Sequence, residues 1–225
     1  VHYFKILDQK PQAELEAEFL DIRENTFLSF LKPEGIFIHN ENKINYSAKS
    51  GNMDAAKSDL TLEGEVRIKD ANSRYESEFF HYDGRLEVMK ARNNVKSLII
   101  DETTKDRLKI SSKEMVSWLQ QKRVELKGGV QGEVQRKRKY EGKLEFSSEE
   151  MSLDQQESFM KLDNDVKIRQ NKMHLRAGNA EIFLENFNKK LKYYALYDDV
   201  RLEEKLQLKS GVFQTRKAFA EKLEA

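Results

Sequence analysis

The sequence contains no cysteine, which excludes a disulfide framework and a thiolate metal site and leaves the compartment open. Proline is nearly absent: Pro11 and Pro33 are the only two, and the 192 residues after Pro33 (225 minus 33) have none. Proline cannot donate to a β-ladder, so such a stretch suits backbone amides committed to inter-strand bonds. No apolar run approaches the roughly 20 residues that cross a bilayer as a helix. Excess charge of one sign is lacking as well. Forty Lys and Arg against 39 Asp and Glu leave a net charge of +1, so no field gathers nucleic acid. The four histidines, His2, His39, His81 and His174, lie far apart and in no metal-ligating spacing. Gly128-Gly129 resembles neither a phosphate loop nor a dinucleotide fingerprint. The carboxylates alternate with basic residues as on a solvated face, where ion pairs contribute little. The residues therefore predict no catalytic pair, no metal and no cofactor: not an enzyme.

What the sequence does contain is a repeat. Leu62-x-Gly64-x-Val66-x-Ile68 returns as Leu126-x-Gly128-x-Val130, Leu162-x-Asn164-x-Val166-x-Ile168 and Leu196-x-Asp198-x-Val200-x-Leu202, with Ala91-x-Asn93-x-Val95 as a weaker copy. From 62 to 91, 126, 162 and 196 the steps are 29, 35, 36 and 34 residues. Self-similarity at such a period marks stacked units, each too small to bury its apolar face alone. Around the motifs apolar and charged residues alternate, as in Val166-Lys167-Ile168-Arg169, the period of a half-buried strand. A composition of 38% apolar and 35% charged residues suits a thin structure with much surface per residue.

A second strand recurs between the motifs: Ile44-x-Tyr46-x-Ala48, Tyr75-x-Ser77, Leu108-x-Ile110-x-Ser112, Leu144-x-Phe146-x-Ser148, Met173-x-Leu175-x-Ala177 and Val212-x-Gln214. Tyr46, Tyr75, Ile110 and Phe146 each precede the next motif residue by 16 positions, whereas Leu175 precedes Leu196 by 21. The extra length predicts a longer turn near Asn186–Lys190. Turn-forming residues stand at Asn40-Glu41-Asn42, Gly51-Asn52, Asp70-Ala71-Asn72, Asp83-Gly84, Asn93-Asn94 and Gly128-Gly129. Gly64, Gly128, Asn164 and Asp198 share one position inside a strand pattern, which predicts a bulge or bend there. Leu15, Phe19 and Ile22 follow helical spacing, so Gln12–Arg23 is expected to form a short helix, with extended chain as the alternative. The domain reading is an N-terminal segment over 1–25 and a repeated β-domain over 26–225.

Arg136-Lys137-Arg138-Lys139 is the one basic run, and a solvated strand end or hairpin loop is favoured over a phosphate site. Trp118 reads as packing rather than as a ligand platform, and Ser111-Ser112 and Ser147-Ser148, with no base nearby, as small inward residues.

Strands of the form Leu-x-Gly-x-Val-x-Ile followed by Leu-x-Ala or Phe-x-Ser resemble the OstA-type β-jellyroll of the lipopolysaccharide-transport proteins LptA and LptC. The resemblance is closest over Met160–Val200, with a second match over Lys43–Ile68, and it extends across roughly 35–215. It implies an all-β, elongated, twisted two-sheet jellyroll of stacked antiparallel repeats with an apolar interior. It further implies lipopolysaccharide export as a periplasmic bridge, contributing to outer-membrane biogenesis. Lipid A acyl chains would lie in the groove, and edge strands would pair head to tail with other jellyroll proteins of the pathway. An LptC-type member would receive lipid from the inner-membrane ABC transporter and be tethered by an N-terminal helix absent from this chain; an LptA-type member would bridge onward. Both roles stay open.

The residues in register with the motif are the candidate groove lining: Leu62, Val66, Ile68, Tyr75, Leu126, Phe146, Leu162, Val166, Leu175, Leu196 and Val200. A greasy seam of this kind accepts acyl chains, each buried CH₂ contributing about 0.8 kcal/mol. The alternative is a structural β-solenoid or adhesin-like spacer whose dry core takes no lipid.

Overall fold

The computed structural model describes residues 1–7, 10–23, 26–39, 42–100, 105–137, 142–154, 156–185, 190–207 and 211–224. All regular structure among them is β, with antiparallel pairing throughout. The strands are β1 (His2–Leu7), β2 (Lys10–Glu16), β3 (Phe19–Arg23), β4 (Phe27–Leu31), β5 (Glu34–His39), β6 (Asn42–Ser47), β7 (Ser50–Asp54), β8 (Asp59–Lys69) and β9 (Ser73–Asp83). They continue as β10 (Val88–Ile100), β11 (Arg107–Trp118), β12 (Arg123–Gln135), β13 (Lys143–Asp154), β14 (Phe159–Gln170), β15 (Met173–Glu185), β16 (Lys190–Gln207) and β17 (Phe213–Glu224).

Two compact units divide the chain: Val1–Ile99 with Lys113–Gln120, and Ile100–Ser112 with Gln121–Ala225. In the first, β1 pairs with β2, β2 with β5, β5 with β6 and β6 with β8. Alongside, β3 pairs with β4, β4 with β7 and β7 with β8, after which β8, β9 and β10 follow in order. In the second unit β12 to β17 form an uninterrupted meander.

The repeat motif has a specific backbone cause. Each copy carries two consecutive residues in the left-handed region: Gly64-Glu65, Asn93-Asn94, Gly128-Gly129, Asn164-Asp165 and Asp198-Asp199, with φ between 48° and 83°. Asn, Asp and Gly dominate because they tolerate that region at least cost. Every kink is flanked by buried residues four apart, such as Leu162 and Val166, while the facing residues Ala180 and Ala177 on the next strand are three apart. The kink absorbs the extra residue as a bulge does. The strand turns there, and side chains on both arms keep the same inner side. At the facing position a small residue is needed, and Ser77, Ser112, Ser148 and Ala177 occupy it, all buried. Ser77 Oγ donates to the Phe79 carbonyl (2.9 Å) and Ser148 Oγ to that of Glu150 (2.7 Å), so these hydroxyls are satisfied. On β17 this place falls to Ala220, opposite Val200, and not to the predicted Val212-x-Gln214. The reason is β16, whose 18 residues carry the hairpin well beyond Leu202.

Both prolines sit where a ladder tolerates them: Pro11 at the β1–β2 register shift, and buried Pro33 at the break between β4 and β5. The expected helix over Gln12–Arg23 is replaced by β2 and β3. Leu15 is 2% exposed whereas Phe19 and Ile22 are 56% and 51% exposed, so the three do not share a face. Pairing with β5 overrides the helical spacing, and the alternation Glu14-Leu15-Glu16-Ala17-Glu18 carried the correct period. Asn40-Glu41, Asn186–Lys189 and Arg138-Lys139 lie outside the described residues.

Candidate functional site

Ten of the eleven predicted lining residues are buried, with Leu62, Leu162 and Val166 at 0% exposure; Tyr75 is half-buried. Desolvation raises the Tyr75 hydroxyl above its usual value despite a hydrogen bond with Ser73. Leu62, Val66, Ile68 and Tyr75 belong to the first unit and the other seven to the second. Within each unit they line up by register. One row of the first unit runs Leu20, Phe30, Gly51, Leu62, Phe80, Ala91. A row of the second runs Gly132, Phe146, Ile168, Leu175, Leu202, Ala218, and beside it lies Leu126, Met151, Leu162, Ala180, Leu196, Leu223. These inner rows can do one thing chemically: remove methylenes from water without direction or charge.

Cover is uneven along the second unit. Phe146 and Leu175 are buried, Ile168 and Leu202 are half-buried, and Ala218 is exposed. Every residue of β17 except half-buried Leu223 is exposed, and among the described residues β17 pairs with β16 alone. Val212, Phe213 and Phe219 are 60%, 64% and 70% exposed.

The opposite face is charged and largely self-neutralised. Lys143 Nζ lies 2.8 Å from both Glu133 and Glu145. Its ammonium holds both carboxyls below their ordinary range and is itself raised by them. Lys161 meets Asp163 at 2.8 Å and Lys49 meets Glu65 at 2.7 Å. An aromatic ladder, Phe159, Phe183 and Tyr193, crosses three strands on this side, with ring centroids 4.9 and 5.7 Å apart. In the first unit an open depression of about 440 Å³ has Glu14, Glu16 and Glu34 on one wall and Arg67, Lys69 and Arg74 on the other. Charge pairing of this sort belongs to solvated surface and not to the inner rows.

Arg136 Nη1 lies 2.9 Å from Asp106, whose other oxygen accepts the Lys137 amide, so the described half of the basic run is tied to a neighbouring strand end. Trp118 is half-buried at the end of β11 rather than deep in the core.

Sequence reasoning placed Asn94, Gly129 and Asp83 in turns but missed Glu65, Asp165 and Asp199 as second members of their kinks, and missed the capped turns at Asp54 and Asp154. Asp54 Oδ1 accepts the amides of Ala56 and Lys57, Asp83 those of Arg85 and Leu86, and Asp154 those of Gln156 and Glu157. The Lys57 ammonium, followed by backbone donors, holds the Asp54 carboxyl below its usual range, and the Leu86 and Arg85 amides hold that of Asp83 there. The signal was present: these aspartates recur in step with the repeat, with Trp118 in the place of one.

Comparison with curated proteins gives no match. Among solved structures, LptH of Pseudomonas aeruginosa is similar; it is described as the LptA-homologous periplasmic component of the lipopolysaccharide transport device. Identity is 18% and the TM-score 0.41, over 49% of this chain and 75% of that one. The family described as LptC, "Lipopolysaccharide-assembly, LptC-related", matches residues 8–135, more than half the chain. With that match, the chain belongs to the LptC-related family of lipopolysaccharide-assembly proteins.

Proposed function

We propose that the inner rows shield the acyl chains of lipid A while sugars and phosphates stay in water, so that the chain carries lipopolysaccharide from the inner-membrane ABC transporter toward the outer membrane. One observation carries this reading. In-register apolar rows run through the second unit and end on β17, whose inner face the described residues leave uncovered. Lipid enters most easily there, beside Leu202 and Ala218, and deeper positions are reached as side chains shift. Contact without direction holds an acyl chain yet lets it slide. The free edge of β17 would take a strand from the next jellyroll by β-augmentation, in a head-to-tail chain.

The fully covered Leu62, Leu162 and Val166 favour a second reading, a spacer with a dry core. Photo-crosslinking residues at Leu202 and Val166, with outward Arg201 and Lys167 as controls, separate the two. Lipopolysaccharide captured at the inward positions and not the outward ones supports the shielded path. Equal capture at both, or none at either, overturns it in favour of the spacer.

A further inference from the structure

Three glycines sit inside strands with no conformational reason to be there. Gly35, Gly51 and Gly132 lie outside the left-handed region, and glycine weakens a strand interior. Each stands directly opposite an aromatic residue in the ladder: Gly35 faces Tyr46, Gly51 faces Phe30 and Gly132 faces Phe146. The space a side chain would fill is taken by the ring. A Cβ on Gly132 would meet Phe146 Cζ at 1.9 Å; one on Gly51 would meet Phe30 Cε2 at 2.3 Å and the Thr61 carbonyl oxygen at 2.6 Å, and one on Gly35 would meet the Glu14 carbonyl oxygen at 2.3 Å before Tyr46 Cζ and Oη at 2.6 Å, so Gly132 is the site where the ring alone fills the space. Strand side chains ordinarily stand up from the sheet; these rings lie down across the neighbouring strand. All three are buried, at 2% for Phe30 and 7% for Tyr46 and Phe146; Phe30 and Phe146 belong to the inner rows above, and Tyr46 stands opposite the inner Ile68.

We propose that these cross-strand glycine–aromatic pairs set the clearance of the acyl path, making Gly35, Gly51 and Gly132 determinants of how much saturated chain it accepts. The inference rests on the shielded-path reading above. A flat ring leaves the space above the sheet to the ligand. A methyl on the glycine pushes the ring off the strand and into that space. Gly132–Phe146 matters most in the second unit, since it heads the row that runs through Ile168, Leu175 and Leu202 to the uncovered Ala218.

The test uses the full chain and a series of n-alkyl carboxylates of increasing length, displacing a fluorescent acyl probe. Wild type should gain roughly fourfold in affinity per added methylene up to a plateau. Gly132→Ala should plateau about two methylenes earlier and bind the longest chain about fifteenfold more weakly. Phe146→Leu added to it should restore the wild-type plateau. A merely structural glycine would lower the thermal midpoint without moving the plateau, and an unmoved plateau in the folded variant overturns the inference. If Gly132→Ala does not fold, Phe146→Leu alone decides: a later plateau supports the proposal and an unchanged one sinks it. Capture by crosslinking at Leu202 in wild type together with an unmoved plateau in Gly132→Ala defeats this inference alone. Wild type with no length-dependent binding defeats the shielded path, and the inference with it.

Discussion

At the scale of single residues, the fold depends on a few positions where backbone geometry leaves little choice of side chain. The paired left-handed residues show this best. Asn164 sits at φ 63° and Asp165 at φ 51°, a region that costs an ordinary L-residue about 1–2 kcal/mol and Asn or Gly less. Asn164→Gly should therefore change the urea-derived stability by no more than about 0.5 kcal/mol, whereas Asn164→Val should lose about 1–2 kcal/mol. Equal midpoints for the two would mean that the kink is not held in solution. The flanking residues answer to packing instead. Leu162 is fully buried, so Leu162→Ala should cost about 2–5 kcal/mol in the same assay, by lost burial and a residual cavity. Much of this was legible in the sequence, because Leu, Gly or Asn, and Val recur at one spacing and each type has its own physical reason. The second kink residue was legible at Asn94 and Gly129 and not at Glu65 and Asp199, whose carboxylates carry no turn signal until the backbone shows their positive φ.

At the scale of elements, register decides what touches what, and the outward charges follow from it. Glu133 and Glu145 stand directly opposite each other on β12 and β13, a like-charge pair that Lys143 bridges. The folded values of both carboxyls lie below the ordinary range and that of the lysine above it. For a lowered carboxyl the stabilisation is present above its unfolded value, about 4.3, and is lost as pH falls through the folded value. For the raised lysine it is present below its unfolded value, about 10.4, and is lost as pH rises through the folded value. Urea midpoints should thus be level between those limits and fall outside them. In Lys143→Met the acid-side fall should be shallower, because the carboxyls start less depressed, with Lys109 still beside Glu133 and Arg169 beside Glu145; an unaltered acid limb would show that the bridge contributes nothing. The sheet elements were readable from alternation, and the exception is instructive. Over β2 and β3 three apolar residues fit helical spacing as well as extended chain, and the strict alternation around Leu15 is the stronger pattern. What sequence could not supply was β5 as the partner of β2, a pairing that only the folded chain supplies.

At the scale of the whole molecule, the inner rows were legible as a set and their cover was not. Period-2 alternation tells which side of a strand is greasy, and ten of eleven predicted positions are indeed buried. It does not tell whether that side is sealed by other strands or left open, because cover comes from residues remote in sequence. The contrast between Leu162 at 0% and the exposed β17 is of that kind. It also fixes what β17 does for stability. A strand that buries almost nothing adds little beyond its backbone bonds to β16, so removing residues 212–225 should leave the rest folded. The β-signal in circular dichroism should fall only by the share of that strand. Association is a different matter. An exposed edge bearing Phe213 and Phe219 invites strand pairing, yet Arg216, Lys217, Glu221 and Lys222 interrupt it with charge, so the edge should select a matching strand rather than aggregate. The full chain is accordingly expected to show concentration-dependent self-association in analytical ultracentrifugation, and the truncated chain to sediment as a monomer over the same range. Association that persists after truncation would mean that another surface joins the copies, since the edge of β16 exposed by the deletion has a different residue pattern and would not pair with equal strength.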